Sequence, residues 1–173
     1  MTPESRTDLD HLFSLTYEEL RRLAATVKRG DGSVTLNPTA LVNEVWLKLA
    51  ASPRFATTSP LHFKRIAARA MRQVLVEAAR RRNAVKRGGD DGACFITLDE
   101  SLAAVSCEQE MLRLDTALDE LARIEPRQAM MVEGRFFGGL EIAEIADLLQ
   151  VSETTILRDW RAARAWLALE LRH

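Results

Sequence analysis

Apolar residues recur at intervals of three and four along almost the whole chain, a spacing typical of amphipathic α-helices. The first apolar stripe runs from Leu9 to Val27 and ends before a Gly-Asp-Gly turn. Asn37 and Pro38 are a favourable N-cap and first helical residue, so they predict a second helix through Ala51. A long third helix is predicted from Leu61 to about Lys86.

This periodicity is interrupted over residues 89–109, where glycines and acidic residues occur without a sustained apolar period and CFITL is the one short stretch with strand character. Helices resume near Glu110. The sequence therefore predicts an all-α protein in which two small helical domains, residues 1–88 and 110–173, are joined by a flexible acidic linker.

The last two helices have the pattern of a helix-turn-helix. A short helix ends at Leu149, and Gln150, Val151 and Ser152 form the turn. The next helix has an inward apolar stripe at Ile156, Trp160, Ala163 and Leu167. Its N-cap Ser152 and the outward positions around its first turns form the predicted contact set with duplex DNA: Ser152, Glu153, Thr154, Thr155, Arg158 and Arg161. An ordinary helical hairpin with polar solvent positions is the alternative.

Charge is distributed unevenly along a chain whose formal net charge is −1. Residues 37–89 carry eleven lysines and arginines against two acidic residues, whereas residues 90–122 carry one arginine against nine acidic residues. A basic block of this kind suggests a nucleic-acid partner, and solvated helix faces are the alternative.

Composition argues against several other classes of protein. Of 173 residues, 47% are hydrophobic and 28% charged, and no apolar run approaches the length that spans a membrane. The two cysteines, Cys94 and Cys107, do not have metal-site spacing, and His62 has no suitably spaced partner. No nucleophile stands beside an acid–base or metal cluster, so we expect no enzyme, no metal and no cofactor, and we expect a cytoplasmic protein without membrane insertion.

Three stretches together resemble the extracytoplasmic-function (ECF) branch of bacterial RNA polymerase sigma factors. LVNEVWLKL at 41–49 is similar to that family's polymerase-binding helix, and FKRIAARAMRQVLVEAARRR at 63–82 to its minus-10 recognition helix. Residues 117–167 are similar to its minus-35-binding domain. The resemblance implies that residues 1–88 bind core RNA polymerase and the minus-10 element, and that residues 110–173 bind the minus-35 element.

The resemblance also assigns residues to these contacts. The non-template single strand of an opened promoter would follow a cationic track with a stacking side chain in the preceding loop: Phe55, Lys64, Arg65, Arg69, Arg72, Arg80, Arg81 and Arg82. Phe55 fits a core position equally well. The contacts with polymerase would come from Asn43, Glu44, Trp46 and Lys48.

The segment before the polymerase-binding helix departs from the family pattern. Members of the family usually carry an acidic cluster there, whereas this chain has Asn-Pro-Thr-Ala at 37–40. A phosphate on Thr39 would restore negative charge in the first turn of a helix, which suggests activation by a Ser/Thr protein kinase. Docking through other contacts, and control by an anti-sigma factor, both stay open.

A stand-alone, dimeric helix-turn-helix repressor is the rival function. Such a protein needs a dimer surface to match two half-sites, and Trp166, Leu169 and Leu171 are the residues available for one.

Overall fold

The computed structural model of the protein describes residues 10–14, 16–18, 20–22, 24, 38–51, 59–85, 96–98, 103–105 and 108–172. Six helices are α1 (Pro38–Ala50), α2 (Pro60–Val85), α3 (Glu108–Ile124), α4 (Pro126–Gly138), α5 (Ile142–Leu149) and α6 (Glu153–Glu170). Ahead of them, residues 10–14, 16–18, 20–22 and 24 are also helical. The predicted all-α class is confirmed. The bounds of α1 and α2, the start of α3 and the end of α5 lie within two residues of the predicted ones.

The segment predicted as a linker contains a small hairpin. Strand β1 (Ile96–Leu98) pairs antiparallel with β2 (Ala103–Val105), with Ile96 opposite Val105. The strand-like stretch in the sequence is β1, while the alanine-rich β2 has no comparable signal. The other residues between Val85 and Glu108 lie outside the described part of the chain, and so do Cys94 and Cys107.

Helix α2 lies at the centre of the fold. One of its faces packs on α1 and another packs on α3 and α4, so the buried apolar residues of the two halves form one cluster. Phe63 and Met71 of α2 and Phe137 of α4 are fully buried in it. The break in periodicity predicts a division into two domains. The described helices nevertheless contact one another across that boundary.

The α5–α6 connection is a tight turn that needs a left-handed residue. Gln150 caps α5 with φ 54° and ψ 45°, a conformation that costs a non-glycine residue roughly 1–2 kcal/mol. Its side-chain amide Nε2 donates to the Asp147 carbonyl at 2.7 Å, and the Val151 amide donates to the Ala146 carbonyl at 3.0 Å. These bonds fix the direction in which α6 leaves the turn.

Candidate nucleic-acid interface

The N-terminus of α6 is built by a side-chain cap. Ser152 adopts an extended conformation, and its Oγ accepts a hydrogen bond from the Thr155 amide at 3.2 Å. The two hydroxyl oxygens of Ser152 and Thr155 also lie 2.9 Å apart. The cap satisfies one amide and leaves the positive end of the helix dipole at an exposed surface, which favours a phosphate there.

The first turns of α6 separate cleanly into a buried and an exposed side. Ile156, Trp160, Ala163 and Leu167 are buried, as their spacing predicts. The positions predicted to contact DNA are exposed, except that Thr155 is half-buried beside the cap: Ser152, Glu153, Thr154, Arg158 and Arg161. Arg158 has 75% of its side chain exposed. A duplex could therefore approach these side chains without any change in the helix packing.

A buried carboxylate lies on the inner side of α6, behind this exposed surface. Asp159 lies in the inward stripe of α6 with 6% of its side chain exposed, and it binds Arg127 at the start of α4. Arg127 Nε donates to Asp159 Oδ2 at 2.8 Å, while Arg158 Nη2 lies 3.5 Å from Oδ1. Sequence reasoning missed this pair, although an acid within an apolar stripe was a visible signal for it.

Trp160 anchors α6 on the neighbouring turn of α4. The Arg135 guanidinium carbon lies 5.5 Å from the Trp160 ring centroid, an attractive cation–π geometry. The indole Nε1 is buried without a hydrogen-bond partner. The ring is therefore held by its faces and edges, and it fixes the rotation of α6 about its own axis.

The cationic residues predicted on α2 do not share one free surface. Arg65 and Arg69 form no ion pair with any carboxylate in the described part of the chain, and Arg69 is exposed. Arg81 approaches Glu44 of α1, with 3.7 Å between Nη2 and Oε2. The remaining four predicted residues bind carboxylates of the C-terminal half: Lys64, Arg72, Arg80 and Arg82.

Arg72 forms the densest of these contacts. Its guanidinium donates to Asp115 Oδ1 at 2.9 Å, to Asp119 Oδ1 at 2.7 Å and to Glu133 Oε2 at 3.0 Å. A further bond reaches the Asp115 carbonyl at 2.8 Å. Burial alone would lower the pKa of Arg72, but the hydrogen bonds to Glu133, Asp119 and Asp115 outweigh it, so the pKa lies above its ordinary value. Only 12% of the side chain is exposed.

Two further pairs lie toward the two ends of α2. Lys64 Nζ is 2.8 Å from Glu144 Oε1 on α5, and Arg82 Nη1 is 3.1 Å from Glu108 Oε1 on α3. Burial raises the pKa of Glu144, whereas the hydrogen bonds from Lys64 and from the Glu141 amide lower it, and the net pKa is below its ordinary value. Glu144 is therefore ionised and bound to Lys64 at neutral pH.

The predicted polymerase contacts lie on α1, and they differ in their exposure and in their partners. Asn43 is exposed, while Glu44 and Lys48 form ion pairs with Arg81 and Glu77 of α2. Trp46 is half-buried, and its ring centroid lies 6.5 Å from that of Phe13 in an edge-to-face arrangement. The neighbouring Leu47, which the sequence reasoning did not select, is 61% exposed. An exposed leucine beside Asn43 gives α1 an apolar contact point.

Thr39 is half-buried in the first turn of α1, a turn that contains no acidic residue. Phe55 lies outside the described residues. Among the residues that are described, no three His, Cys, Asp or Glu side chains are grouped so that they could hold a metal ion. None of the described helices is both long enough and apolar enough to cross a membrane.

A comparison with protein families covers the helices of both halves of the chain. The family model described as "ECF sigma factor" matches residues 5–173. No curated protein and no solved structure matches the chain. Because the match runs from the N-terminal helical residues through α6, the chain belongs to the ECF sigma factor family of DNA-binding transcription regulators and acts with RNA polymerase as an alternative sigma factor in transcription initiation.

Proposed function

We propose that this chain holds a promoter at two places, with the N-terminal end of α6 in the major groove of the minus-35 element and the cations of α2 along the minus-10 non-template strand. The observation that carries the proposal is the exposed set Glu153, Thr154, Arg158 and Arg161 above a buried apolar stripe. Arginine reads guanine edges, and hydroxyls bind either bases or phosphates. On α2, Arg65 and Arg69 are the cations available for the strand.

In vitro transcription with core polymerase and a genomic promoter library tests this function. We expect run-off products that start at a fixed distance from a shared two-part motif. Arg69→Ala should impair open-complex formation more than duplex binding. A chain that fails to associate with polymerase, yet binds operator-like duplex unaided as a symmetric dimer, would instead be a repressor, and the proposal would be wrong.

Arg158→Ala tests the minus-35 contact separately. The affinity for a minus-35 duplex should fall by about 1–3 kcal/mol, with a smaller loss on scrambled duplex. Arg123→Ala removes an exposed arginine from the end of α3 and is the matched control. An equal loss on both duplexes would show that Arg158 contacts only phosphate, and it would have no role in sequence recognition.

We further propose that phosphorylation of Thr39 by a Ser/Thr protein kinase strengthens polymerase docking through α1. The support is the absence of any acidic residue from the first turn of α1, where a phosphate would be stabilised by the helix dipole. Thr39→Glu should bind core polymerase more tightly than the unmodified chain or Thr39→Ala. Thr116→Glu, which adds the same charge at an exposed threonine of α3, is the control. Equally tight binding by all variants would rule out the switch, and restraint by an anti-sigma factor would then be the better account.

A further inference from the structure

Leu157 is an apolar residue at the polar, exposed end of α6. Among the residues that the structure describes, four large apolar side chains are exposed, and they are Leu47, Ile124, Leu157 and Leu169. Leu47 lies on α1, Ile124 ends α3, and Leu169 lies in the last turn of α6. Of these four, Leu157 alone lies between residues that are proposed above to contact DNA. Neither its periodicity nor its chemistry had marked it as one of those contacts.

Leu157 shares a face of α6 with the proposed DNA contacts. Residues three and four apart are neighbours on a helix surface, so Leu157 lies beside Thr154 on one side and Arg161 on the other. Arg158 follows it directly and is also exposed. Leu157 is 36% exposed, whereas the preceding Ile156 is completely buried. A duplex that contacts Thr154, Arg158 and Arg161 therefore covers Leu157 as well.

A duplex that covers Leu157 is restricted in what it can place opposite this side chain. A base edge that forms hydrogen bonds loses water there and gains no partner, which weakens binding. The C5-methyl group of thymine is the apolar group that base pairs present in the major groove, and apolar side chains contact it. Packing of this methyl group on Leu157 removes apolar surface of both partners from water. Thymine is therefore the base that fits this position.

We propose that Leu157 is a specificity-determining residue of the minus-35 contact and that it packs on the C5-methyl group of a thymine. The inference rests on the proposed function for the placement of α6 in the major groove. Consecutive residues of an α-helix are about 1.5 Å apart along its axis, and stacked base pairs are about 3.4 Å apart. The thymine therefore lies within about two base pairs of the guanine that Arg158 contacts.

Replacement of thymine by deoxyuridine tests this contact, because it deletes the methyl group and keeps the base pair. The probe is the promoter duplex recovered from the library transcription experiment, with each thymine of its minus-35 element replaced in turn on either strand. Binding is measured with core polymerase that carries the full-length chain. At one position the replacement should weaken binding by the wild-type protein roughly fourfold, which is the value of one buried methyl-sized group.

Variants of the chain show whether Leu157 causes this loss. With Leu157→Ala the same replacement should leave the affinity unchanged, because the methyl group has lost its partner. Leu157→Met keeps an apolar side chain and should keep the loss. Leu169→Ala, at the 62% exposed leucine in the last turn of α6, is the matched control and should show the full fourfold loss. Thermal unfolding should be the same for all of these variants, since both leucines lie on the surface.

Three results would overturn the inference. A minus-35 element composed of G·C pairs alone would contain no methyl group to contact. An element in which no deoxyuridine replacement weakens binding would show that its methyl groups are not contacted. A loss that persists in Leu157→Ala would come from the DNA or from another residue. The proposed function fails by a different result, the absence of promoter-directed transcription with the wild-type chain, and that result would remove the inference with it.

Discussion

Removing Arg127 should destabilise the fold and also reduce DNA binding by the surface of α6 proposed to contact DNA, although Arg127 is not on that surface. The substitution Arg127→Ala leaves the Asp159 carboxylate, which is 6% exposed, without the guanidinium that now binds it. The nearest remaining cation is Arg158, whose Nη2 is already 3.5 Å from Asp159 Oδ1. Arg158 should turn inward to replace Arg127, and its reach toward a duplex should shorten.

The magnitude follows from the exposure of the two partners. Leaving a buried, charged acceptor without its partner costs about 1–3 kcal/mol, and more when both charges are fully buried. Asp159 is almost inaccessible to water, whereas Arg127 is 45% exposed, so a value near 2 kcal/mol is expected. For a chain of this length that corresponds to a decrease in Tm of roughly 4–8 °C.

Thermal unfolding followed by circular dichroism measures the first effect, and anisotropy with a minus-35 duplex measures the second. Arg123→Ala, at an exposed position of α3, is the matched control. The double variant with Asp159→Asn should regain much of the lost stability, because it removes the unpaired charge. If Arg127→Ala melted within about 1 °C of wild type, the pair would contribute no net stability and the reasoning would be refuted.

Three further substitutions test local features of the C-terminal half. Ser152→Ala removes the bond to the Thr155 amide, and chemical denaturation should show a loss of about 1 kcal/mol. Gln150→Gly relieves the left-handed backbone at φ 54°, and the same measurement should show a gain of up to about 1 kcal/mol despite the lost side-chain bond; a loss would mean that this bond dominates. The lowered pKa of Glu144 means that the contact with Lys64 stabilises the fold above the ordinary glutamate pKa and is lost as pH falls through the lower folded value. The stability difference between wild type and Glu144→Gln should therefore shrink as the pH falls from 7 to below the ordinary glutamate pKa, and a pH-independent difference would contradict this.

The helices and the two sides of α6 could be predicted because their causes are local. The spacing of Ile156, Trp160 and Ala163 along the sequence is enough to predict that they are buried. Pro38 likewise predicts the first turn of its helix. The sequence also predicts Gln150 in the turn, whereas its left-handed conformation, which glycine adopts more readily, is visible only in the structure.

The charge contacts could not be predicted, because they join residues far apart in sequence. Arg72 and Asp115 are separated by 43 positions, and Lys64 and Glu144 by 80. The sequence shows a basic block followed by an acidic block. Two blocks that each bind a different partner and two blocks that form ion pairs with each other have the same composition. Tertiary packing of α2 on α3 and α4 decides between them.

The β1–β2 hairpin sets how far the connection between α2 and α3 can reach. Fully extended, residues 86–107 would span roughly 75 Å. With Ile96 paired to Val105, the hairpin returns the chain almost to its starting point, and the maximum span falls to roughly 45 Å. Breaking the hydrogen bonds of two three-residue strands therefore lengthens the connection by about two thirds. In the proposed function, the range of distances over which one chain could hold two separated DNA elements depends on whether this fold-back is kept.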